Sequence, residues 1–436
     1  MLYPLGNGNK MRARKIVILI LFFSLFLRLG VAYWVKDSFF ERGNRYSLIN
    51  PIANNIINFH EFAKKPGNPT ASNEPLYPLF VALAYYLMGK NWLSLCLLQS
   101  ILSLLNGIIV SFIALAIFKN NKVGLISLLL FCLYPYFITQ SISVSDTVFF
   151  CFWLALSIYL MVLYRNSQEF FKNLLAGCCW GVTLLTRFSA ISLFLFGLLY
   201  LFFNNSHKEA FKRCIIISFG CLLILSPWLY RNYELTNKLF IVTNRSAIAI
   251  WFGYNKETMN AIEKDISVDT MIKDVSKKLP DLEEIKRKKF DLDIMREVEE
   301  DKVFIRSAFN YALKNPWDSI KMMPLKLWKF WSWRYNPAPN SKNLSVDIFW
   351  HLIFTFSYLP ILILGLIGIM LTRHTWRIHS ILLLIFIGYS ILHTVVYGFS
   401  RLRIPIDQFL MLYSAYSIVF YFERITHPKD VALKVI

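Results

Sequence analysis

The sequence lacks the short motifs that mark several common enzyme classes. It contains no phosphate-cradling glycine loop, no nucleophile elbow and no zincin motif, which argues against hydrolases and nucleotide-dependent pumps. It has no internal repeat and no low-complexity tract, so solenoids and tails are excluded. His60, His351 and His393 do not share metal-ligand spacing. No metal site is predicted.

The cysteines give no sign of a disulfide framework or a spaced metal site. All seven fall inside apolar segments, where they are expected to act as small core hydrophobes.

Acidic residues are scarce outside one long segment. Residues 232–345 carry 20 Lys or Arg and 16 Asp or Glu, and the rest of the chain carries 27 cations and 11 acids. Those 27 cations lie mainly in short clusters between apolar runs. The net charge of +20 therefore indicates membrane topology rather than nucleic acid binding.

What the sequence has in abundance is long apolar runs. It is 56% hydrophobic with 38 Phe, and the runs 16–34, 92–118 and 346–371 match the ~20 residues that a hydrocarbon core requires. These features predict an all-α integral membrane protein, a polytopic bundle of about ten transmembrane helices with juxtamembrane helices and a mainly helical extracytoplasmic loop domain.

The basic clusters predict which loops are cytoplasmic. Lys10, Arg12, Arg14 and Lys15 place the N-terminus inside, ahead of an uncleaved first helix. Segment 75–89 is apolar but only 15 residues long, so it is expected to lie at the outer surface. If it crosses, every downstream basic cluster lands outside. The predicted spans are 16–34, 92–118, 123–141, 146–164, 173–187, 189–204, 214–230, 346–371, 379–398 and 405–422.

Two large outer regions follow from this topology, 35–91 and 232–345. The predicted domains are a transmembrane catalytic module at 1–231, an extracytoplasmic loop domain at 232–345 and C-terminal transmembrane helices at 346–436. Segment 325–334 mixes Trp with Lys at the return to the membrane, which predicts an interfacial anchor.

Most acids of the transmembrane parts fall on or near the predicted outer face. Asp146 begins a span, and an acid bordering hydrocarbon is expensive enough to be a site candidate. The alternative is a helix N-cap, in which Ser145 or Asp146 satisfies free backbone amides. The outer acids are Asp37, Glu41, Glu61, Glu74, Asp146, Asp347 and Asp407.

Four arginines break the positive-inside pattern at the outer ends of spans. Arg187, Arg231, Arg401 and Arg403 predict a local anionic partner, because guanidinium groups suit phosphate or carboxylate. Snorkelling to lipid headgroups or pairing with the outer acids is the alternative for each one. Four together favour a phosphate-recognising face.

Short motifs run through most of the chain in a fixed order. They are Arg28, Tyr46 before Ile52-Ala-Asn-Asn-Ile56, Glu74-Pro-Leu-Tyr-Pro-Leu-Phe80, Tyr134-Pro135, Asp146, Leu185-Thr-Arg187, Pro227-Trp-Leu-Tyr-Arg-Asn232, Ile250-Trp-Phe-Gly-Tyr-Asn255, Asn315-Pro316 with Lys326, and Arg401-Leu-Arg-Ile-Pro-Ile406. Their order and spacing resemble the polytopic glycosyltransferases that take a sugar from a polyprenyl-phosphate carrier. That superfamily includes protein O-mannosyltransferases and lipid A aminoarabinose transferases and has the GT-C fold.

The resemblance implies an inverting transfer in the plasma (inner) membrane. A first-loop carboxylate would handle the acceptor, which is an extracytoplasmic glycan, lipid A or protein, and cations would stabilise the departing phosphate. It implies contacts to membrane lipid and none to nucleic acid. No cofactor is required that the sequence shows, and a divalent cation is compatible. The implied substrate-binding residues are Arg28, Tyr46, Tyr77, Arg187, Arg231, Arg401, Arg403 and Lys326.

One departure from the family pattern concerns the base. Family members usually carry an Asp three or four residues before the first-loop Tyr, where this chain has Arg42 and Gly43. Either Glu41 or Asp37 takes the role, or Asp146 or Glu74 does, or the chain has lost transfer activity.

Two other functions remain open from the sequence. A transporter or flippase of a lipid-linked or anionic solute should show ionisable residues at mid-membrane depth and two matching halves. Here the mid-span positions are nearly free of charge, with His393 as a marginal exception, and the halves do not match. A catalytically silent member of the superfamily is the second alternative.

Overall fold

The computed structural model describes residues 7–46, 49–243, 245–256, 258, 279–333 and 344–426. Within these ranges the side chains of 7–10, 36–46, 245 and 344–350 are not described. Helices dominate the described chain, whose strands are the short antiparallel pair β1 (Ala63–Lys65) and β2 (Asn68–Pro69). The predicted all-α class is confirmed.

The helices that form the bundle correspond to the long apolar runs. They are α1 (Asn7–Tyr46), α4 (Trp92–Phe118), α5 (Asn121–Leu133), α6 (Pro135–Ser141), α7 (Thr147–Leu163), α8 (Phe170–Thr186), α9 (Ile191–Asn204), α10 (His207–Thr236), α15 (Leu344–Leu371), α16 (Trp376–Val395) and α17 (Ile404–Thr426). Short 3₁₀ turns precede α9, α16 and α17 at Phe188–Ala190, Arg373–Thr375 and Ser400–Arg403.

The remaining helices belong to the two outer regions. They are α2 (Ile49–Phe59), α3 (Leu76–Met88), α11 (Arg245–Gly253), α12 (Pro280–Arg287), α13 (Asp293–Lys314) and α14 (Pro316–Trp331). The second region has a small core of its own, in which Trp251 of α11 packs against Phe304 of α13.

Five described helices are long and apolar enough to cross a membrane, which makes the chain an integral membrane protein. They are Met11–Val35, Trp92–Phe118, His207–Thr236, His351–Leu371 and Arg373–Val395. The bent pair α5–α6 makes a sixth if it is one broken span. The ten-span count therefore stays a prediction. Segment 75–89 contains the 13-residue helix α3, too short for a full span.

The break between α5 and α6 has a local cause. Pro135 disfavours helical geometry at Tyr134, whose ψ is 119°, and the two helices meet at 56°. Arg28 of α1 reaches this break and donates to the carbonyl of Cys132 at 3.0 Å and to Ser103 Oγ at 3.3 Å. The guanidinium thereby donates a hydrogen bond to a carbonyl that has no partner within the interrupted helix.

Glycines allow the helices α8 and α10 to pack closely. A Cβ on Gly177 of α8 would lie 2.1 Å from the carbonyl oxygen of Ile217 in α10, and one on Gly220 would lie 2.5 Å from Leu174 O. Small residues let two membrane helices approach in this way. The pair α8 and α10 thus brings its ends, Thr186 and Thr236, to the same side of the bundle.

All seven cysteines are free and lie in helices, as the sequence predicts.

Candidate functional site

An ion pair joins the start of α7 to the end of α8. Arg187 Nη2 lies 2.6 Å from Asp146 Oδ1, and Arg187 Nε lies 3.3 Å from Asp146 Oδ2. The two side chains are 18% and 9% exposed. Asp146 makes no helix-capping bond, whereas Ser145 Oγ accepts from the backbone N–H of Thr147. Asp146 is thus a partner of Arg187 and leaves the capping to Ser145.

Glu74 reaches the same point from the first outer region. Its Oε1 accepts the backbone N–H of Phe188 at 3.2 Å, and the side chain is buried. Because Phe188 follows Arg187 directly, two carboxylates from distant parts of the chain meet on adjacent residues. The backbone of Arg187 is extended between α8 and the following 3₁₀ turn.

The guanidinium of Arg187 has further neighbours that the sequence did not single out. It lies 4.8 Å from the ring centroid of Phe150, and Nη2 donates to Thr147 Oγ1 at 3.2 Å. The phenol of Tyr389 in α16 lies near Arg187 and Ser189 and is placed to interact with both. Tyr389 sits in an apolar run of a chain with 22 tyrosines, so no sequence signal distinguishes it.

Tyr77 stabilises the site through a buried chain of hydrogen bonds. Its buried hydroxyl donates to Gln99 Oε1 at 2.7 Å, and Gln99 Nε2 donates to the carbonyls of Ser141 and Ser143. These bonds tie α3 and α4 to the loop that presents Asp146. Tyr77 therefore holds the site together and is too enclosed to touch a substrate, at 1% exposure.

Arg231 anchors the first outer loop. Its guanidinium donates to the carbonyls of Thr70 at 3.0 Å and Phe62 at 3.1 Å, and it stacks on Trp228 at 4.6 Å. These contacts bind Arg231 to the loop that carries Glu74. A direct role in binding phosphate stays a prediction.

Glu297 of the mixed-charge helix α13 is a second anchor of that loop. Its carboxylate accepts from Lys64 Nζ, Thr70 Oγ1, Ala71 N and Thr243 Oγ1 at 2.6–3.1 Å. It is 1% exposed. These hydrogen bonds join the two outer regions. In the sequence, Glu297 looks no different from the neighbouring acids of the same helix.

Arg403 forms a sealed ion pair with Asp407. The Nε–Oδ1 distance is 2.8 Å, both side chains are at most 1% exposed, and Tyr134 donates to Asp407 at 3.1 Å. Arg403 also donates to the carbonyls of Phe330 and Ser332. The expectation that Arg403 contacts substrate does not fit this enclosure. Arg401, two residues earlier, is exposed.

Lys326 of α14 is fully buried without an acid beside it. Nζ donates to the carbonyls of Val396 at 3.3 Å and Val395 at 3.4 Å, and it lies 4.3 Å from the Tyr254 ring. No carboxylate lies within ion-pair distance of it among the residues the structure describes. Burial lowers the pKa of Lys326 to about 8. The ammonium caps the end of α16, which places it near the site but inside protein.

The remaining predicted site residues either lie away from Asp146 and Arg187 or have side chains that the structure does not describe. Arg28 is fully buried at the α5–α6 break, where it contacts Ser24, Ser103 and Cys132 rather than an outer surface. The side chains of Asp37, Glu41 and Tyr46 lie outside the described residues.

No group of three His, Cys, Asp or Glu side chains within the described ranges could hold a metal ion. A divalent cation therefore has no evident protein site in that part of the chain.

One end of the bundle collects the site. The ion pair of Arg187 and Asp146 joins the end of α8 to the start of α7, and Glu74 and Arg231 hold the first outer loop against the ends of α8 and α10. Tyr389 precedes the end of α16 by six residues, about 9 Å of helix, and Arg401 follows that end by six residues. The exposed Arg401 thus lies at the same end as Asp146 and Arg187.

Comparisons with known proteins agree with the motifs. The chain resembles the apo crystal structure of ArnT from Cupriavidus metallidurans at 14% identity and a TM-score of 0.38, over 85% of this chain and 72% of that one. A likeness of that degree carries no argument about function. A comparison with curated proteins finds no match. Residues 65–230 match the family described as dolichyl-phosphate-mannose-protein mannosyltransferase, so the superfamily resemblance is confirmed and a membrane glycosyltransferase is supported in general.

Proposed function

We propose that this protein is a glycosyltransferase that moves a sugar from a polyprenyl-phosphate carrier to an extracytoplasmic glycan, lipid A or protein. The observation that carries the proposal is the meeting of Glu74 and Asp146 on the adjacent residues Phe188 and Arg187. All four lie in the segment 65–230 that matches the mannosyltransferase family. The proposed location is the outer side of the plasma membrane, with the N-terminus in the cytoplasm.

The chemistry needs a proton acceptor and a stabiliser of negative charge. As the acceptor oxygen bonds to the anomeric carbon, its proton passes to a carboxylate, and the bond from that carbon to the phosphate oxygen breaks. The electron pair leaves with the polyprenyl phosphate, which is a good leaving group without a nucleotide. Carboxylate bases and preorganised cations supply these two functions in enzymes.

Glu74 is the described carboxylate best placed to take the proton. Asp146 already holds two hydrogen bonds from Arg187, so its role is to orient that guanidinium. Glu74 accepts the backbone N–H of Phe188, which orients its carboxylate beside Arg187. Arg401, exposed at the same end, is proposed to bind the phosphate. Lys326 and Arg231 support the loops that frame the site.

The test is a transfer assay on purified protein in lipid nanodiscs with labelled polyprenyl-phosphate sugars and candidate acceptors. Glu74→Gln, Asp146→Asn and Arg401→Ala should each reduce transfer, with Glu74→Gln the most severe. Glu61→Gln is the matched control, because Glu61 is also in the first outer region but its carboxylate binds Gly67 N at the surface. Transfer that survives all three site changes would refute the site.

Two further arms separate the alternatives. Loss of transfer in Glu41→Gln or Asp37→Asn, with Glu74→Gln active, assigns the base to the end of α1. Wild-type protein that neither cleaves nor transfers any donor indicates a silent member of the superfamily. Donor that moves across the bilayer uncleaved indicates a flippase.

A further inference from the structure

The helices α13 and α14 divide into two electrostatic parts. Residues 293–302 carry five acids and two cations, and residues 303–331 carry five cations and one acid. In the first part the charges pair with each other, as Arg296 does with Asp293 and Lys302 with Glu299. The second part has too few acids to neutralise its cations internally.

The basic part also exposes an apolar stripe. Along α13, Ile305, Phe309 and Leu313 recur every four residues and are 38%, 61% and 77% exposed. This spacing places them on one face of the helix, while Phe304 and Ala308 are buried in the loop-domain core. One face of α13 thus packs inward and a second apolar face is left in the open.

The neighbouring helix α14 repeats the arrangement. Trp317, Ile320 and Trp328 are 73%, 53% and 58% exposed, while Met322 and Phe330 are buried. Large exposed apolar side chains on two consecutive helices of a polar domain mark an interaction surface. We call the exposed residues Ile305, Phe309, Leu313, Trp317, Ile320, Leu327 and Trp328 the loop-domain stripe.

Cations accompany the stripe along its length. Arg306, Lys314, Lys321 and Lys329 directly follow Ile305, Leu313, Ile320 and Trp328 in the chain. Apolar and aromatic residues bordered by Lys and Arg form the pattern of helices that lie in a membrane interface, where anionic headgroups attract the cations. A second copy of the chain is a poor occupant, because a twofold contact would set these cations against each other.

We propose that the loop-domain stripe rests on a leaflet rich in anionic phospholipid. The stripe is continuous in sequence with the return to the membrane, since α14 ends at Trp331 and the candidate span His351–Leu371 follows. Docking on lipid holds α13 against the bilayer. Because Glu297 of the same helix grips residues 70 and 71, the docked helix also steadies the loop that carries Glu74.

The test uses spin labels on the full-length protein in nanodiscs. Cysteine is introduced at Phe309, Leu313 or Ile320, with Lys302→Cys in the acidic part of α13 as the matched control. Labelling of the wild type measures the background from its own seven cysteines. These lie in helices, and none of them is exposed. In nanodiscs containing anionic lipid, labels at 309, 313 and 320 should be more accessible to oxygen than to a water-soluble nickel chelate, and the label at 302 should show the reverse.

The charge requirement is tested on the same labels. Replacing anionic with neutral lipid should reduce the oxygen preference at 309 and 320, and the variant Arg306→Gln/Lys314→Gln/Lys321→Gln/Lys329→Gln should lose that dependence. Water-like accessibility at all three stripe positions overturns the proposal. So does spin–spin broadening between copies, which would identify the stripe as an oligomer interface. Neither outcome depends on transfer activity.

Discussion

Two arginine–aspartate pairs at the same end of the bundle have opposite surroundings. Arg403 and Asp407 are four residues apart, at most 1% exposed, and enclosed by Tyr134, Tyr358 and two backbone carbonyls. Arg187 and Asp146 come from different helices and are 18% and 9% exposed. Only the second pair has another carboxylate, Glu74, on the adjacent residue.

The difference in burial indicates that one pair has a structural role and that the other can interact with a ligand. A pair whose side chains are at most 1% exposed is closed to a ligand, and it joins α14, α17 and the α5–α6 break. A partly exposed pair across two helices can change partners when an anion or a hydroxyl arrives. The same two residue types are therefore expected to have different roles, which burial distinguishes.

The largest expected effect is on the sealed pair. Arg403→Met leaves Asp407 buried without its cation, and breaking a buried pair costs about 3–5 kcal/mol. We expect little folded protein in detergent, measured by thermal unfolding followed with size-exclusion chromatography. The double variant Arg403→Met/Asp407→Leu should recover most of the loss, because it removes both charges. A double variant as unstable as the single one would contradict this account.

The second prediction concerns the accessible pair. Asp146→Asn should lower the transfer rate at least about a hundredfold, since a misplaced catalytic group costs that much or more, while its thermal midpoint falls less than that of Asp407→Asn. Both quantities are measured on the same preparations. If Asp146→Asn and Asp407→Asn lose stability equally and activity equally, the distinction between the two pairs fails.

Lys326 extends the comparison, because no carboxylate of the described residues lies within ion-pair distance of it. Burial lowers the pKa of Lys326 to about 8 from an ordinary 10.5, so above pH 8 the folded protein releases a proton that the unfolded chain keeps. The cost of burying the charge is fully present below pH 8 and is relieved as the pH rises. Stability relative to Lys326→Met should therefore increase by about 1.5 kcal/mol between pH 8 and 9.5.

The measurement is thermal unfolding of both proteins across that pH range. Lys329→Met, three residues further along α14, is the matched control and should follow the wild type. Parallel pH dependence of the wild type and Lys326→Met would show that Lys326 is not held as a buried ammonium.

The sequence predicted the helical membrane fold, because long apolar runs and charge clusters are local signals. Asp146 and Arg187 were both assigned to the outer ends of spans. Their pairing across 41 residues depends on how α7 and α8 pack, and no local pattern encodes it. Glu74 was a candidate for the same reason, but its contact with Phe188 spans 114 residues.

Several predicted substrate-binding cations instead donate hydrogen bonds to backbone carbonyls. Arg28, Arg231 and Lys326 are predicted to bind substrate, and their described contacts are mainly carbonyl oxygens at a helix break, a loop and a helix end. A carbonyl that lacks a helical partner is invisible in a sequence. Glu297 is the converse, an acid in a charged helix whose partners come from two other segments.

The smallest expected effect tests whether Tyr389 belongs to the accessible pair. Tyr389→Phe removes the phenol hydroxyl, which is placed to hydrogen-bond with Arg187 and Ser189. One such bond is worth about 1 kcal/mol, so transfer should fall by no more than about tenfold while the Arg187–Asp146 pair persists. Tyr358→Phe is the control at the sealed pair, where the hydroxyl has no hydrogen-bond partner among the described residues and the ring stacks on Arg403, at 3.5 Å. That variant should retain full transfer and stability, and an equal loss in both variants would mean that the phenol of Tyr389 acts through packing alone.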